Sequence, residues 1–339
     1  MAMQQEKMSY RIELENLWLG YEADNYLLKA VNTGVRAGEM IALVGLNGTG
    51  KSTLLKTISG IRQPQKGAIR FNGKLLGELT MREFAASISF VGTGNYISED
   101  LTVFEMVSLG RHPYTNWWGT IREHDREKIL ESLNFVGMED FSGVKVSRLS
   151  DGERQRVMIA MSLAQDTRVM ILDEPTAFLD IPNRIGIIEV LHKLRKNGRT
   201  IIYSTHEFDH AFTHADKIWM IHDRALVSGA PEDLGIDGAF DRLFSDAGVT
   251  FDSDNLRFIR SNPADKVIGV NFIDERVNYW TCRALERAGY RMETEGEESL
   301  PFIRIEKTES GYQWTYRDEH TSMTFKSLYT LTEHLDRIR

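Results

Sequence analysis

The spacing of hydrophobic residues changes several times along the chain. Ile12 and Leu14 alternate with polar neighbours, which predicts an early strand. MIALVG at 40–45, VMILDEP at 169–175 and TIIYSTH at 200–206 are near-continuous apolar runs with polar residues directly after the last apolar one. Such runs predict buried strands whose carboxyl ends carry polar groups. Between them the spacing becomes helical, with Leu54, Leu55 and Ile58 after Lys51, and Val157, Ala160, Met161 and Ala164 after Gly152. Strands alternating with helices predict an α/β fold.

The pattern breaks at 230–265, where GAPEDLGIDGAF and FDSDNLRFIRSNPAD are rich in turn formers and predict short strands and turns. A domain boundary is placed near residue 260, giving a domain at 1–259 and a second at 260–339. In the second, KVIGVNFI predicts a strand, VNYWTCRALERAGY a helix, FIRIEKT and YQWTYRD a strand pair, and Leu328, Leu331, Leu335 and Ile338 a final helix. This is a small α+β domain. The chain shows no internal repeat, heptad run or low-complexity segment.

Composition narrows the class. The chain has 339 residues, 42% of them apolar, enough for two or three ordinary cores. Its 41 basic and 49 acidic residues leave a formal charge of −8, with no basic stripe suited to a nucleic-acid backbone. No run approaches the roughly 18 apolar residues of a membrane span, and MAMQQEKMSYRIE lacks a secretory apolar core, so a cytosolic location is expected. The single cysteine, Cys282, excludes an intramolecular disulfide and any cysteine-based zinc site, and its neighbours suggest a helix core.

GLNGTGKS at 45–52 fits G-x-x-x-x-G-K-[ST] between a predicted strand and a predicted helix. Gly45, Gly48 and Gly50 let backbone N–H groups curl around phosphates, Lys51 brings a cation to the β and γ groups, and the Ser52 hydroxyl can ligate Mg²⁺. Such a loop needs an acid for the metal shell, and Asp173 stands at the end of an apolar run. Glu174 follows as a candidate general base for an attacking water. His206 ends the third run, where an imidazole can meet the γ-phosphate. His210 and His214 continue at four-residue steps, and a solvated helix face is favoured for them over a zinc site.

The order GLNGTGKS, LSDGERQR, VMILDEP, FLD and STHE resembles the nucleotide-binding subunit of ABC transporters over about residues 8–255. The resemblance implies a P-loop ATPase cassette with a helical signature lobe at about 95–165, working with ATP and Mg²⁺ as a head-to-tail pair of copies. It implies that Ser150 and Gly152 touch the γ-phosphate held by the partner copy, that Asp180 links the two sites, and that His206 is the switch histidine. A helix N-terminus with a serine hydroxyl and a bare glycine N–H suits an anion. A plain capping box of Ser150 with Glu153 looks the same in one chain. Tyr21, 24 residues before Gly45, matches the tyrosine that stacks on adenine, with Tyr26 or a purely packed tyrosine as alternatives. Asn47 and Thr53 of the loop join the nucleotide contacts.

Two positions depart from the family pattern. Thr93 stands where a glutamine usually touches the metal and the attacking water, and its shorter hydroxyl reaches the metal only through water. Asp151 makes the signature LSDGE.

LTVFEMVSLGRHPYTNWWG at 101–119 resembles the helical lobe of ATPases serving importers of iron-siderophore, haem and cobalamin complexes, with ferric chelates favoured. That implies membrane permease subunits, an external substrate-binding protein as an indirect partner, and a place on the cytoplasmic face of the inner membrane. Trp117 and Trp118 either meet the permease or pack within the lobe. The tail from 260 either binds a regulatory ligand or protein or serves as a packed extension. A soluble ABC-type ATPase or a nucleotide-gated regulatory module is the alternative to a transporter subunit.

Overall fold

A computed structural model describes residues 11–22, 25–93, 100–116, 118–243, 249–252, 256–260, 266–293, 301–309 and 311–338. Trp117 lies outside the described residues. The chain divides into two compact units, one of Met1–Ser245 with Phe251–Phe258 and one of Asp246–Thr250 with Ile259–Arg339.

In the first unit the strands are Ile12–Glu22 (β1), Asn25–Val35 (β2), Met40–Gly45 (β3), Lys66–Phe71 (β4), Lys74–Leu75 (β5), Ile88–Val91 (β6), Val169–Leu172 (β7), Thr200–Ser204 (β8), Lys217–His222 (β9) and Ala225–Gly229 (β10). The helices are Lys51–Ile58 (α1), Met81–Ala85 (α2), Val103–Ser108 (α3), Glu123–Phe135 (α4), Asp151–Ala164 (α5), Ile181–Lys196 (α6), Phe208–His214 (α7), Pro231–Ile236 (α8) and Ala239–Leu243 (α9). One sheet has the order β10-β9-β3-β8-β7-β6, parallel except for β10, which runs antiparallel on β9. A second, antiparallel sheet has the order β2-β1-β4-β5.

Every residue of β3, β7 and β8 is buried, because both faces of the parallel sheet are covered. Alternation still sorts their side chains. Met40, Ala42, Val44, Met170 and Leu172 join the core beneath the helices, whereas Ile41, Leu43, Val169 and Ile171 join the core shared with the antiparallel sheet and α1.

The lobe built by α3, α4 and α5 extends that helix-side core with Val107, Ile129, Leu133 and Val157. Gly110 is required there, since a Cβ would lie 2.1 Å from the Met161 carbonyl oxygen. Arg111 ties the lobe together from inside. Its guanidinium contacts buried Asp125 at 2.9 Å and donates to the Ala164 carbonyl at 2.8 Å.

The segment expected to hold turns and short strands contains the short strands Val249–Asp252 (β11) and Arg257–Arg260 (β12), preceded by two short helices that were not expected, α8 and α9. Pro231 at the first helical position, acidic residues in the first turn of α8, and burial of Leu234 and Phe240 favour the helices over the turn formers. Phe251 and Phe258 close an aromatic cluster with Phe208, Phe212 and Phe240.

The second unit is Lys266–Val270 (β13), Glu275–Arg287 (α10), Tyr290–Glu293 (β14), Phe302–Thr308 (β15), Gly311–Arg317 (β16), Ser322–Phe325 (β17) and Leu328–Arg337 (α11). Its sheet order is β14-β13-β15-β16-β17, and α10 and α11 pack against it. Asp274 and Ser327 cap the helices through the Val277 and Thr330 amides. Its core, including Ile303, Ile305, Leu285 and Leu335, is separate from those of the first unit. Cys282 on α10 is half-buried, and burial pushes its thiol pKa up. Leu335→Ala is expected to destabilise this unit by about 2–5 kcal/mol, read by urea unfolding, while nucleotide binding by the first unit is retained. A joint loss of both would show that the two units share one cooperative core.

Candidate functional site

The site is assembled by register. Leu43 pairs with Ser204 across β3 and β8, and Leu172 pairs with Tyr203 across β7 and β8. The carboxyl ends of the three strands are therefore level, which brings Gly45, Asp173 and Ser204 to one edge of the sheet.

From β3 the chain turns through the glycine loop into α1. Gly48 and Gly50 have φ of 77° and 106°, conformations that disfavour any side chain with a Cβ. Lys51, 5% exposed, folds its ammonium into the loop and donates to the carbonyls of Gly45 at 2.8 Å and Leu46 at 3.1 Å. Burial lowers the Lys51 pKa, and Glu174 and then Asp173 oppose the shift through their negative charge. Asn47 is exposed on the loop, Ser52 is half-buried in the first turn of α1, and Thr53 is buried behind it.

Asp173 follows β7, and its backbone N–H donates to the Val91 carbonyl at 2.8 Å. Its Oδ1 accepts from the Ser204 hydroxyl at 2.7 Å, and Ser204 Oγ accepts the Glu174 N–H at 2.8 Å. One buried serine thus positions both acids. Glu174 has φ 50°, an uncommon conformation for a residue with a side chain, costing on the order of 1 kcal/mol. Its Oε1 lies 2.6 Å from His206 Nε2. Asp173 is 2% exposed, and its Oδ2 has no hydrogen-bond partner among the described residues. A buried carboxylate oxygen with spare capacity, facing the charge of Lys51 at the start of the adjoining helix, suits a hard divalent cation.

A cavity of about 370 Å³ opens beside these acids, lined among others by Thr93, Asp151, Gln155, Asp173 and Glu174. Thr93 is exposed on the way out of β6. Asp151 and Gln155 sit one turn apart and present one face of α5 to the cavity.

Within one chain Ser150 serves as the α5 N-cap. It accepts the Glu153 N–H at 3.4 Å, while its own N–H and hydroxyl each donate to Glu153 Oε2 at 2.8 Å. Gly152 is buried against Asn183, whose Oδ1 would lie 2.7 Å from an added Cβ. Asp180 caps α6 by accepting the Asn183 N–H at 3.1 Å. Tyr21 is exposed, its hydroxyl 3.2 Å from Thr53 Oγ1 and its ring under the Arg62 guanidinium at 4.6 Å. Tyr26, the alternative, is buried edge-on against Trp18. Of the two, Tyr21 is therefore the exposed tyrosine, held beside the first turn of α1.

His210 and His214 are half-buried, not on a fully solvated face, since α7 packs on β3 and α8 and His214 meets a histidine of α6. His214 Nδ1 lies 2.9 Å from His192 Nε2, and His210 Nδ1 is 3.6 Å from Glu207 Oε2. Two positioning residues were not anticipated from sequence. Ser204 is one, signalled only by its place before Thr205-His206 at a strand end. Glu207 is the other: it pairs with Arg184 at 2.5 Å and accepts from Thr176 Oγ1 at 3.3 Å, tying the residue after His206 to the start of α6.

A parallel sheet ending in a glycine loop, a buried lysine and two strand-end carboxylates defines a P-loop nucleoside triphosphatase. Residues 28–177 match the family described as ABC transporter, and residues 270–336 match the Iron ABC transporter C-terminal domain. An uncharacterized ABC transporter ATP-binding protein of Methanocaldococcus jannaschii is 38% identical over 226 residues, covering 66% of this chain and 77% of that protein. The achromobactin transport ATP-binding protein CbrD of Dickeya dadantii is 37% identical over 225 residues, 66% of this chain and 83% of its own. The iron(3+)-hydroxamate import ATP-binding protein FhuC of Bacillus subtilis is 37% identical over 206 residues, 60% of this chain and 76% of its own. Among solved structures, cbiO1 from Clostridium perfringens, part of the transporter complex cbiONQ, superposes with TM-score 0.60 at 29% identity, covering 70% of this chain and 95% of that one. The dimeric post-hydrolysis cassette MJ0796 bound to ADP and Pi superposes with TM-score 0.57 at 28% identity, covering 65% and 98%. The chain belongs to the ABC transporter family as an ATP-hydrolysing, nucleotide-binding cassette.

Ser204→Ala is expected to lower ATP turnover by about thirtyfold with nucleotide affinity retained, because Asp173 and the Glu174 N–H each lose a partner worth roughly 1 kcal/mol. Steady-state hydrolysis and a nucleotide-binding titration separate the two, and unchanged turnover would remove Ser204 from the site.

Proposed function

We propose that the chain is the ATPase subunit of an importer for ferric chelates, with siderophore complexes ahead of haem or cobalamin. The observation that carries the hydrolytic part is the convergence of Lys51, Asp173, Glu174 and His206 at one sheet edge. The cargo follows from the relatives, named for achromobactin and iron(3+)-hydroxamate transport, and from the iron-transporter C-terminal domain.

Lys51 gives the β- and γ-phosphates a cation whose hydration has already been removed by burial. Ser52 and Asp173 would hold Mg²⁺, with Thr93 close enough to the site to take part through water, and the ion would supply charge neutralisation at the phosphates. Glu174 orients and deprotonates the attacking water, and His206 fixes the Glu174 carboxylate. Tyr21 offers its ring to adenine, with Asn47 and Thr53 completing the loop contacts.

A second copy completes the site, with Ser150 and Gly152 at its phosphate side and Asp180 at the seam. Phe178, Ile181 and Ile185 are exposed around Asp180, and such an apolar cluster suits burial by a second cassette. Glu174→Gln is expected to bind ATP without turnover and to elute at twice the monomer mass in sizing with ATP. A monomer under those conditions would count against the paired mechanism.

No helix among the described residues is long and apolar enough to cross a membrane. The chain accordingly reaches the cytoplasmic face of the membrane through permease subunits, with a substrate-binding protein acting beyond them. Trp118, 85% exposed in the helical lobe, offers apolar area for that contact. Gentle solubilisation of native membranes with a tagged chain should recover a polytopic permease, and uptake of radioiron-loaded siderophore should stop when the chain is deleted. Recovery from the cytosol without a permease would favour the soluble ATPase instead.

A further inference from the structure

The accessory unit contains a cavity with no part in ATP hydrolysis. It measures about 310 Å³ and lies among the first turns of α10, the start of β16 and the start of α11. That volume falls in the range of small-ligand sites.

Its walls are aromatic. Trp314 is buried, and its indole N–H donates to buried Thr281 Oγ1 at 2.9 Å, which fixes the ring in place. Trp280 and Tyr312 complete the aromatic lining, and Val277 and Leu328 add aliphatic surface. Trp280 is 58% exposed, with Tyr279 edge-on at 5.4 Å, which is costly in water unless something covers it.

The remaining lining residues carry opposite charges. Asp274 accepts the Val277 N–H at 3.2 Å through Oδ1, so the helix start pins its carboxylate in place. Arg276 makes no hydrogen bond or ion pair among the described residues, and the two charges do not pair with each other there. A simple anion would face Asp274, a simple cation would face Arg276, and a hydrocarbon would leave both unmatched. A zwitterion satisfies both.

We propose that this cavity binds a small zwitterion with an apolar body, of the α-amino-acid class. The ammonium meets Asp274 and the faces of Trp280 and Tyr312, the carboxylate takes the Arg276 fork, and the apolar side chain lies against Trp314 and Leu328. The site is independent of the ATPase reading.

Isothermal titration of the full chain tests it with three probes: L-phenylalanine, phenethylamine, which lacks the carboxylate, and 3-phenylpropanoate, which lacks the ammonium. L-Phenylalanine should bind, and each analogue should bind about tenfold more weakly or less, as loss of one charged hydrogen bond implies. Arg276→Ala should abolish the preference over phenethylamine. Asp274→Asn keeps a capping side chain and removes the charge, and should abolish the preference over 3-phenylpropanoate. Both variants should keep the parent's urea-unfolding transition for the second unit, which shows that this unit is folded. No heat with L-phenylalanine, equal binding of the three probes, or unchanged preferences in the variants would each overturn the proposal.

Discussion

The parallel register of β3, β7 and β8 is the constraint on which the catalytic arrangement depends. A parallel sheet buried on both faces cannot place a charge within a strand without stranding it, so its polar chemistry collects where the strands end. Because Leu43 pairs with Ser204 and Leu172 with Tyr203, the three ends are level, and a slip of one residue would turn Asp173 toward a different face. Ser204 then converts register into geometry. Its hydroxyl gives its proton to Asp173 and takes the Glu174 N–H, so the position of one acid fixes the backbone of the other. The φ of 50° at Glu174 is tolerated because this bond holds the peptide in place.

The electrostatics follow from the same edge. Lys51 is nearly excluded from water, which alone would favour its neutral form, and the two carboxylates draw the charged form back. A cation maintained by neighbouring acids rather than by solvent exchanges readily for phosphate contact, because its hydration is already gone. The links continue outward from Glu174 to His206, and from Glu207 to Arg184 at the start of α6. Asp180 caps that same helix, so the proposed seam between copies and Glu174, the proposed base, are joined through a few hydrogen bonds.

The fold was most legible where burial was complete. Continuous apolar runs marked β3, β7 and β8, and helical spacing marked α1 and α5, because both signals survive when every neighbour is apolar. The antiparallel sheet was nearly invisible beyond Ile12 and Leu14. Register shifts along β1, with Asn16 and Ala30 at φ of 45° and 50°, interrupt the alternation that a sequence reading needs. The helices α8 and α9 were hidden by glycines and aspartates that serve as caps and turns between short buried pieces. In the site, residues in fixed motifs stood out, whereas Ser204 and Glu207 did not, since a serine or glutamate gains its role only from the strand and helix it meets.

Ser150 illustrates why one chain leaves part of the site undecided by local physics. Its capping box is complete, with two donations to Glu153 and one acceptance from it, so the helix needs nothing more. The same arrangement leaves first-turn N–H groups of α5 without a partner inside the helix, and Gly152, buried against Asn183, adds no side chain there. An anion brought by another copy would meet a helix start that is already rigid and would pay little to order it. Asp151 works against such an anion, and Arg154, 3.2 Å from its carboxylate, offsets that charge. The acidic signature is therefore compatible with the proposed phosphate contact, because its charge is paired one helical turn away.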